Sequence, residues 1–281
     1  MQLYHTKKAL SEFLDKKKVA LGFVPTMGAL HAGHLSLVKR AVTENPLTVV
    51  SIFVNPTQFN KTSDLQNYPR TLNEDLKSLL PHSDSIVVFA PSAEELYGST
   101  IQTQSYNFGT LDQFMEGASR ENHFQGVATI IEKLFSVVAP QKAYFGEKDF
   151  QQLQIVRALT HEKKWPITIV GCPIVREPNG LAMSSRNLLL SEDDKNEAKH
   201  LYKTLQWAVE KVGKIPLAHI KEKIQKDFLN RAAFHLDYFC IANTQNLIPV
   251  EKISPGIKYR AFIAAYFKQI RLIDNMPISK I

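Results

Sequence analysis

The feature that most limits what this chain can fold into is an alternation. Through the first 175 residues, short β-prone runs at 19–24, 48–54, 85–90 and 167–175 take turns with stretches of helical periodicity. Strands separated by helices cannot close as hairpins; they cross over and pair in parallel, with the helices covering the sheet faces. The clearest helix lies between the third and fourth runs, where Val127, Ile130, Ile131, Leu134, Phe135 and Val138 share one face and Pro140 follows as a stop. That stripe is core. The expectation is an α/β domain with a doubly wound parallel sheet over residues 1–175.

Past residue 175 the rhythm changes. A helix is expected from Ser191, an N-cap with Asp193 and Asp194 in its first turn, carrying Ala198, Leu201, Tyr202, Leu205, Ala208, Val209 and Val212 on one face. A lysine-rich helix at 220–228 and strand-like runs at 236–242, 260–267 and 270–273 then read as a smaller α+β domain over 176–281. Charge changes at the same joint. The 281 residues carry +7, yet 17 basic and 16 acidic residues leave only +1 in the first 175, whereas 17 and 11 leave +6 in the last 106. A hydrophobic content of 44% and a charged content of 22% exclude a largely disordered or coiled-coil chain. Two distant cysteines, Cys172 and Cys240, exclude a disulfide framework and point to a reducing compartment. The amino terminus lacks the apolar stretch of a secretory signal, and no run reaches the ~20 apolar residues of a membrane span, so the expected location is cytoplasmic.

The most informative segment is 19–40, VALGFVPTMGALHAGHLSLVKR. A buried strand runs to Pro25, Gly28 permits a tight turn, and His31 and His34 stand three residues apart at the start of a helix that Leu35, Leu37 and Val38 continue. Residues at i and i+3 share a helix face, and a helix start offers unpaired N–H groups and the positive end of its dipole. Two imidazoles there suit a polyphosphate. A single histidine is more often a satisfied core or surface residue; His-x-Gly-His directly after a strand and a glycine turn is what argues for a site. Zinc is the other reading of the pair, but a zinc site needs further ligands and no nearby Cys or His supplies them.

His-x-Gly-His after the first strand of a Rossmann-like sheet is a mark of the nucleotidyltransferase superfamily, and the longer string narrows the resemblance. Pro25-Thr26-Met27-Gly28-Ala29-Leu30-His31-Ala32-Gly33-His34 resembles the signature of the pantothenate synthetase (pantoate–β-alanine ligase) family. Further segments agree in order: Phe53-Val54-Asn55-Pro56-Thr57-Gln58-Phe59, Tyr68-Pro69-Arg70-Thr71, His123-Phe124-Gln125-Gly126-Val127, Phe145-Gly146-Glu147-Lys148-Asp149-Phe150-Gln151-Gln152, Met183-Ser184-Ser185-Arg186-Asn187 and Arg271-Leu272-Ile273-Asp274-Asn275. The likeness runs nearly the length of the chain and is looser in the C-terminal domain. One loop departs from the pattern: where Arg-Pro-Gly-His-Phe is usual, this chain reads Arg120-Glu121-Asn122-His123-Phe124.

The resemblance implies ATP-dependent condensation of (R)-pantoate with β-alanine to give pantothenate, AMP and pyrophosphate through a pantoyl-adenylate. It implies ATP contacts from Met27, Gly28, Ala29, Leu30, His31, Ala32, Gly33 and His34, from Gly146, Glu147, Lys148 and Asp149, and from Val175, Met183, Ser184, Ser185 and Arg186. Among these His34, His31 and Lys148 are the catalytic candidates, with His34 the usual proton donor. Gln58 is implied to bind pantoate and β-alanine, and Gln152 to bind pantoate; neutral amides can orient a carboxylate that must stay nucleophilic, where an arginine would pair with it strongly. Outside that context, Lys148 reads as a surface lysine after the apolar 143–145, and Ser184-Ser185-Arg186 as a polar loop. Asn55 either orients a neighbouring loop or simply forms the turn before Pro56. Glu116, Arg120 and His123 either line a cleft or face a subunit interface. Mg²⁺ is expected on the ATP phosphates, with no protein ligand assigned. Glu74 and Asp75 are candidates for outer ligands, or are complements to a helix dipole. The resemblance further implies a homodimer through the N-terminal domain, with 48–54 or the helix before it as contact. The loop 183–187 just past the interdomain joint suggests that the C-terminal domain closes over ATP as a lid, and its positive charge would help draw in ATP and anionic pantoate.

Two other classes compete. Class I aminoacyl-tRNA synthetases and small cytidylyltransferases also use His-x-Gly-His, but only about 100 residues follow Met183-Ser184-Ser185-Arg186 and no anticodon-binding domain is evident. A basic nucleic-acid-binding protein would suit the net charge; the basic residues are interspersed with acids and lack an aromatic stacking pattern, so neither nucleic acid nor membrane is an expected partner.

Overall fold

The computed structural model describes residues 1–60 and 62–278. Met1–Phe108, Arg120–Glu147 and Gln152–Pro173 form one compact unit, and Gly109–Ser119, Lys148–Gln151 and Ile174–Ile281 form the other.

The first unit is built on six strands: β1 (Gln2–Tyr4), β2 (Leu21–Thr26), β3 (Leu47–Ile52), β4 (Ile86–Phe89), β5 (Lys142–Gly146) and β6 (Thr168–Cys172). They pair in parallel throughout, in the order β1-β4-β3-β2-β5-β6. Helices run between them, including Lys7–Lys17, Ala32–Glu44, His123–Val138 and Phe150–Glu162. A parallel sheet has both faces covered, and β3 and β4 are accordingly buried at nearly every position. From β2 the chain steps one way to β3 and β4, then crosses back to lay β5 on the other side of β2. The reversal opens a crevice at the C-terminal ends of β2 and β5, where open α/β sheets take their ligands.

The expected runs at 19–24, 48–54, 85–90 and 167–175 correspond to β2, β3, β4 and β6. The three-residue edge strand β1 has no run long enough to show itself. The apolar stripe from Val127 lies on His123–Val138, which ends with Ala139 left-handed at φ 46° just before Pro140. Within segment 48–54, β3 is paired on both sides by β2 and β4, and Thr48, Val49, Val50 and Ser51 are buried, while Ile52 and Val54 are half-buried.

The second unit carries an antiparallel sheet of β7 (Phe234–Asn243), β8 (Tyr259–Phe267) and β9 (Ile270–Ile278), with β8 central. Leu201, Leu205, Ile220, Ile224 and Phe228 of the helices pack with Phe234, Ile263 and Phe267 of the sheet. The single helix expected from Ser191 is two, Glu192–Ala198 and His200–Lys211, with a turn at Lys199, and Val212 lies past the end. Its start is as read, and Asp194 completes it: Ser191 Oγ accepts the Asp194 N–H at 3.1 Å, and Asp194 Oδ2 accepts the Ser191 N–H at 3.3 Å. Among the described residues no helix is long and apolar enough to cross a membrane.

Ser191→Ala removes one half of this reciprocal cap. Urea unfolding should show a loss of about 1 kcal/mol, and an unchanged midpoint would show that the cap contributes nothing.

Candidate active site

Between the end of β2 at Thr26 and the start of the helix at Ala32, the chain must turn sharply. Gly28 takes φ 80° and Ala29 takes φ 50°. At Gly28 a Cβ would stand 3.0 Å from Asp75 Oδ2 and 3.1 Å from Ile52 Cγ2, so the position needs glycine on two counts. Left-handed backbone in an alanine costs of order 1 kcal/mol. Asp75 holds it there: Oδ2 accepts the Ala29 N–H at 3.0 Å, and Oδ1 accepts the Leu30 N–H at 2.7 Å and the Thr71 hydroxyl at 3.3 Å. Burial pushes the Asp75 carboxyl above the usual range while these hydrogen bonds pull it back. Both oxygens bind the turn, so Asp75 is its clamp. Glu74 is exposed beside it.

The helix that follows is capped by the two histidines. Gly33 N–H donates to His31 Nδ1 at 3.1 Å, and His31 N–H donates to His34 Nδ1 at 3.4 Å. A backbone N–H can only donate, so each Nδ1 is unprotonated and each neutral ring carries its hydrogen on Nε2. The rings lie 4.1 Å apart at 35°. The helix start thus selects the tautomer with Nε2–H as each ring's donor, beside a helix N-terminus of the kind that suits an anion.

After β3, Asn55 precedes the turn Pro56–Gln58 and Gln58 ends it, and both are buried. Asn55 Nδ2 donates to Gln58 Oε1 at 3.0 Å and to the Gly126 carbonyl at 3.2 Å, and Asn55 Oδ1 accepts from Tyr97 at 2.6 Å. Gln58 Nε2 donates to Met27 Sδ at 3.1 Å, which ties the glutamine to the histidine turn. The Gln58 carbonyl accepts from His123 Nδ1 at 2.8 Å and from Arg120 Nη2 at 3.1 Å. Arg120 Nη1 lies 3.1 Å from His123 Nε2 and donates to it, so this histidine is neutral with its hydrogen on Nδ1. Asn122 supplies a left-handed residue at φ 57° before His123, the conformation that glycine adopts readily in the usual motif. Asn55, Arg120 and His123, whose roles the sequence left open, therefore grip Gln58. Gln152 is half-buried in the first turn of Phe150–Glu162. Since β3, β2 and β5 are adjacent and parallel, Gln58, the histidine turn, Gly146, Glu147 and Gln152 all follow strand ends at one edge of the sheet.

The other expected residues lie in the second unit. Met183 N–H donates to the Val175 carbonyl at 3.0 Å and Arg176 bridges to Ala182, so Val175 and Met183 face each other across a short hairpin. Ser184 caps the turn Ser185–Leu189 by accepting the Arg186 N–H at 3.3 Å, and Ser185 is buried. Lys148 sits in the turn Glu147–Asp149, its ammonium 3.5 Å from Asp149 Oδ1. Glu116 parts company with Arg120 and His123, which belong to the first unit. It is buried, bound by Arg271 through two hydrogen bonds of 2.7 and 2.8 Å and by Tyr238 at 2.8 Å, and it anchors segment 109–119 to β7 and β9.

The profile of the family described as pantoate-beta-alanine ligase matches residues 2–277. A relative named pantothenate synthetase from Christiangramia forsetii is 47% identical over 282 residues, covering 99% of this chain and 100% of its own. Another of that name, from Flavobacterium psychrophilum, is 46% identical over 272 residues, covering 97% and 96%. Among solved structures, pantothenate synthetase from Thermus thermophilus matches with a TM-score of 0.91 at 40% identity over all of both chains. A pantoate-beta-alanine ligase from Francisella tularensis, described as complexed with beta-gamma ATP and β-alanine, matches with a TM-score of 0.83 at 33% identity over 100% of this chain and 98% of that one. The chain belongs to the pantoate–β-alanine ligase family.

Proposed function

We propose that this chain condenses (R)-pantoate with β-alanine at the expense of ATP, releasing AMP and pyrophosphate. The observation that carries the reading is the pair of histidine Nε2–H donors held at a helix start beside the sheet's crevice, in a chain of this family. A pantoate carboxylate oxygen attacks the α-phosphorus and pyrophosphate leaves; the amine of β-alanine then attacks the acyl carbon of the pantoyl-adenylate, and AMP leaves with that oxygen. The first step gathers negative charge, so positioning and charge stabilisation dominate its catalysis.

His31 and His34 meet this need with neutral Nε2–H groups, His34 donating a hydrogen bond to the leaving pyrophosphate or its bridging oxygen. Met27 to His34 and Gly146 to Asp149 approach the nucleotide with main chain and side chain alike. Val175, Met183, Ser184, Ser185 and Arg186 contact ATP from the second unit, and Lys148 supplies a fixed cation. Gln58, pinned on its carbonyl by Arg120 and His123, orients pantoate and then β-alanine, and Gln152 holds pantoate. Mg²⁺ accompanies the phosphates; with both Asp75 oxygens engaged on the turn, phosphate and water oxygens suit it best as ligands. The same reading takes the enzyme as a cytoplasmic homodimer with residues 176–281 as its lid domain, and its two cysteines are free, buried thiols, as a reducing compartment allows.

ATP–pyrophosphate exchange tests the reaction. Exchange should depend on pantoate in a panel of hydroxy acids, and product should form with β-alanine in a panel of amines; exchange equally supported by unrelated acids would refute the substrate assignment. His34→Ala should lower pantoate-dependent exchange ~100-fold or more, and near-normal exchange in the folded variant would remove His34 from the chemistry. For Gln152→Ala, the KM for pantoate should rise far more than that for ATP. Equal increases would contradict the assignment.

A further inference from the structure

Two segments of the second unit carry groups proposed for ATP, the turn holding Lys148 and the loop 183–186. Groups that stabilise developing charge act best when their surroundings already hold them in place. Neighbouring residues of β9 reach both segments. Asn275, 2% exposed, donates from Nδ2 to the Lys148 carbonyl at 2.7 Å. Its Oδ1 accepts from Arg260 Nη1, and the Arg260 guanidinium lies 4.1 Å over the Phe150 ring.

Asp274, 4% exposed, takes Arg176 in a fork, with Nη1 donating to Oδ2 at 2.6 Å and Nη2 to Oδ1 at 3.0 Å. Such two-bond charge pairs fix orientation as well as distance. Arg176 opens the hairpin that leads into 183–186: it bridges to Ala182, donates to the Gly180 carbonyl at 3.1 Å, and stacks 4.0 Å over Tyr202. The two grips are joined, because Asn275 N–H donates to Asp274 Oδ1 at 2.7 Å. β9 is itself paired with β8 along its length, so the frame is stiff.

We infer that Asp274 and Asn275 are positioning residues for adenylation: one strand sets the main chain of Lys148 and the root of the 183–186 loop in a common frame, so that the lysine and Arg186 meet the triphosphate together. The inference rests on the ATP roles given above to Lys148 and Arg186.

Double-mutant cycles on pantoate-dependent ATP–pyrophosphate exchange test it, because coupling appears only between residues that act through one another. Asn275→Ala and Asp274→Asn should each lower the exchange kcat ~10- to 100-fold, as small misplacements of catalytic groups do. In a Lys148→Ala background Asn275→Ala should cause no further loss, while Asp274→Asn keeps its full effect; in an Arg186→Ala background the pattern should reverse. Thermal unfolding of every variant runs alongside, and if Asp274→Asn does not fold, Arg176→Gln breaks the same fork from its more exposed side and should give the same pattern. Equal losses in all backgrounds, or normal exchange in the folded single variants, would overturn the inference. Normal exchange in Lys148→Ala and Arg186→Ala would instead overturn the ATP assignment beneath it.

Discussion

The Asp75 carboxylate accepts the main-chain N–H groups of Ala29 and Leu30, and the histidine turn takes its shape from that contact. A buried N–H left without a partner costs about 1–3 kcal/mol, the same order as the left-handed strain at Ala29, and the clamp satisfies two N–H groups against one strained residue. Once Ala29 and Leu30 are fixed, His31 falls at the N-cap of the helix and His34 at its third position, and the free backbone N–H groups of the helix start bind both Nδ1 atoms. Tautomer and ring separation follow from a folding decision made on an acid 46 residues from Ala29 in the chain.

The same arrangement recurs around the proposed substrate groups. Two of the residues expected to touch substrate, Gln58 and Lys148, have their main chain held by buried neighbours. In the first unit Arg120 and His123 donate to the Gln58 carbonyl while Asn55 holds its amide oxygen. In the second, Asn275 donates to the Lys148 carbonyl, and Asp274 fastens the hairpin that precedes Ser184. Holding the backbone places the Gln58 and Lys148 side chains during folding, so the entropy of placing them is not lost when a ligand arrives. Within the first unit, Gly126 shows how closely its helix approaches the Gln58 turn, since a Cβ there would stand 2.3 Å from the Thr57 carbonyl.

Much of this was legible in the sequence, for identifiable reasons. Strands buried on both faces write continuous apolar runs, so β2, β3 and β4 stood out, and His-x-Gly-His after a glycine turn marked the helix start. The edge strand β1 is three residues long and leaves no periodic trace. The break at Lys199 was invisible because the apolar face continues across it, from Ala198 to Leu201. Asp75 read as an ordinary acid in a helix first turn, since nothing local reports that its partners lie at residues 29 and 30. Asp274 and Asn275 end the motif Arg271-Leu272-Ile273-Asp274-Asn275, yet their partners, Arg176 and Lys148, are 98 and 127 residues away. Net charge was the weakest guide: the excess of the C-terminal part says nothing of where a cation is held.

The central claim is that a carboxylate attacks the α-phosphorus before the amine enters. It is tested most directly by following pantoate labelled with ¹⁸O in its carboxylate through one round of synthesis with ATP and β-alanine. The account predicts one labelled oxygen in the phosphate of AMP for each pantothenate formed. Label absent from AMP, or found instead in pyrophosphate or inorganic phosphate, would contradict it.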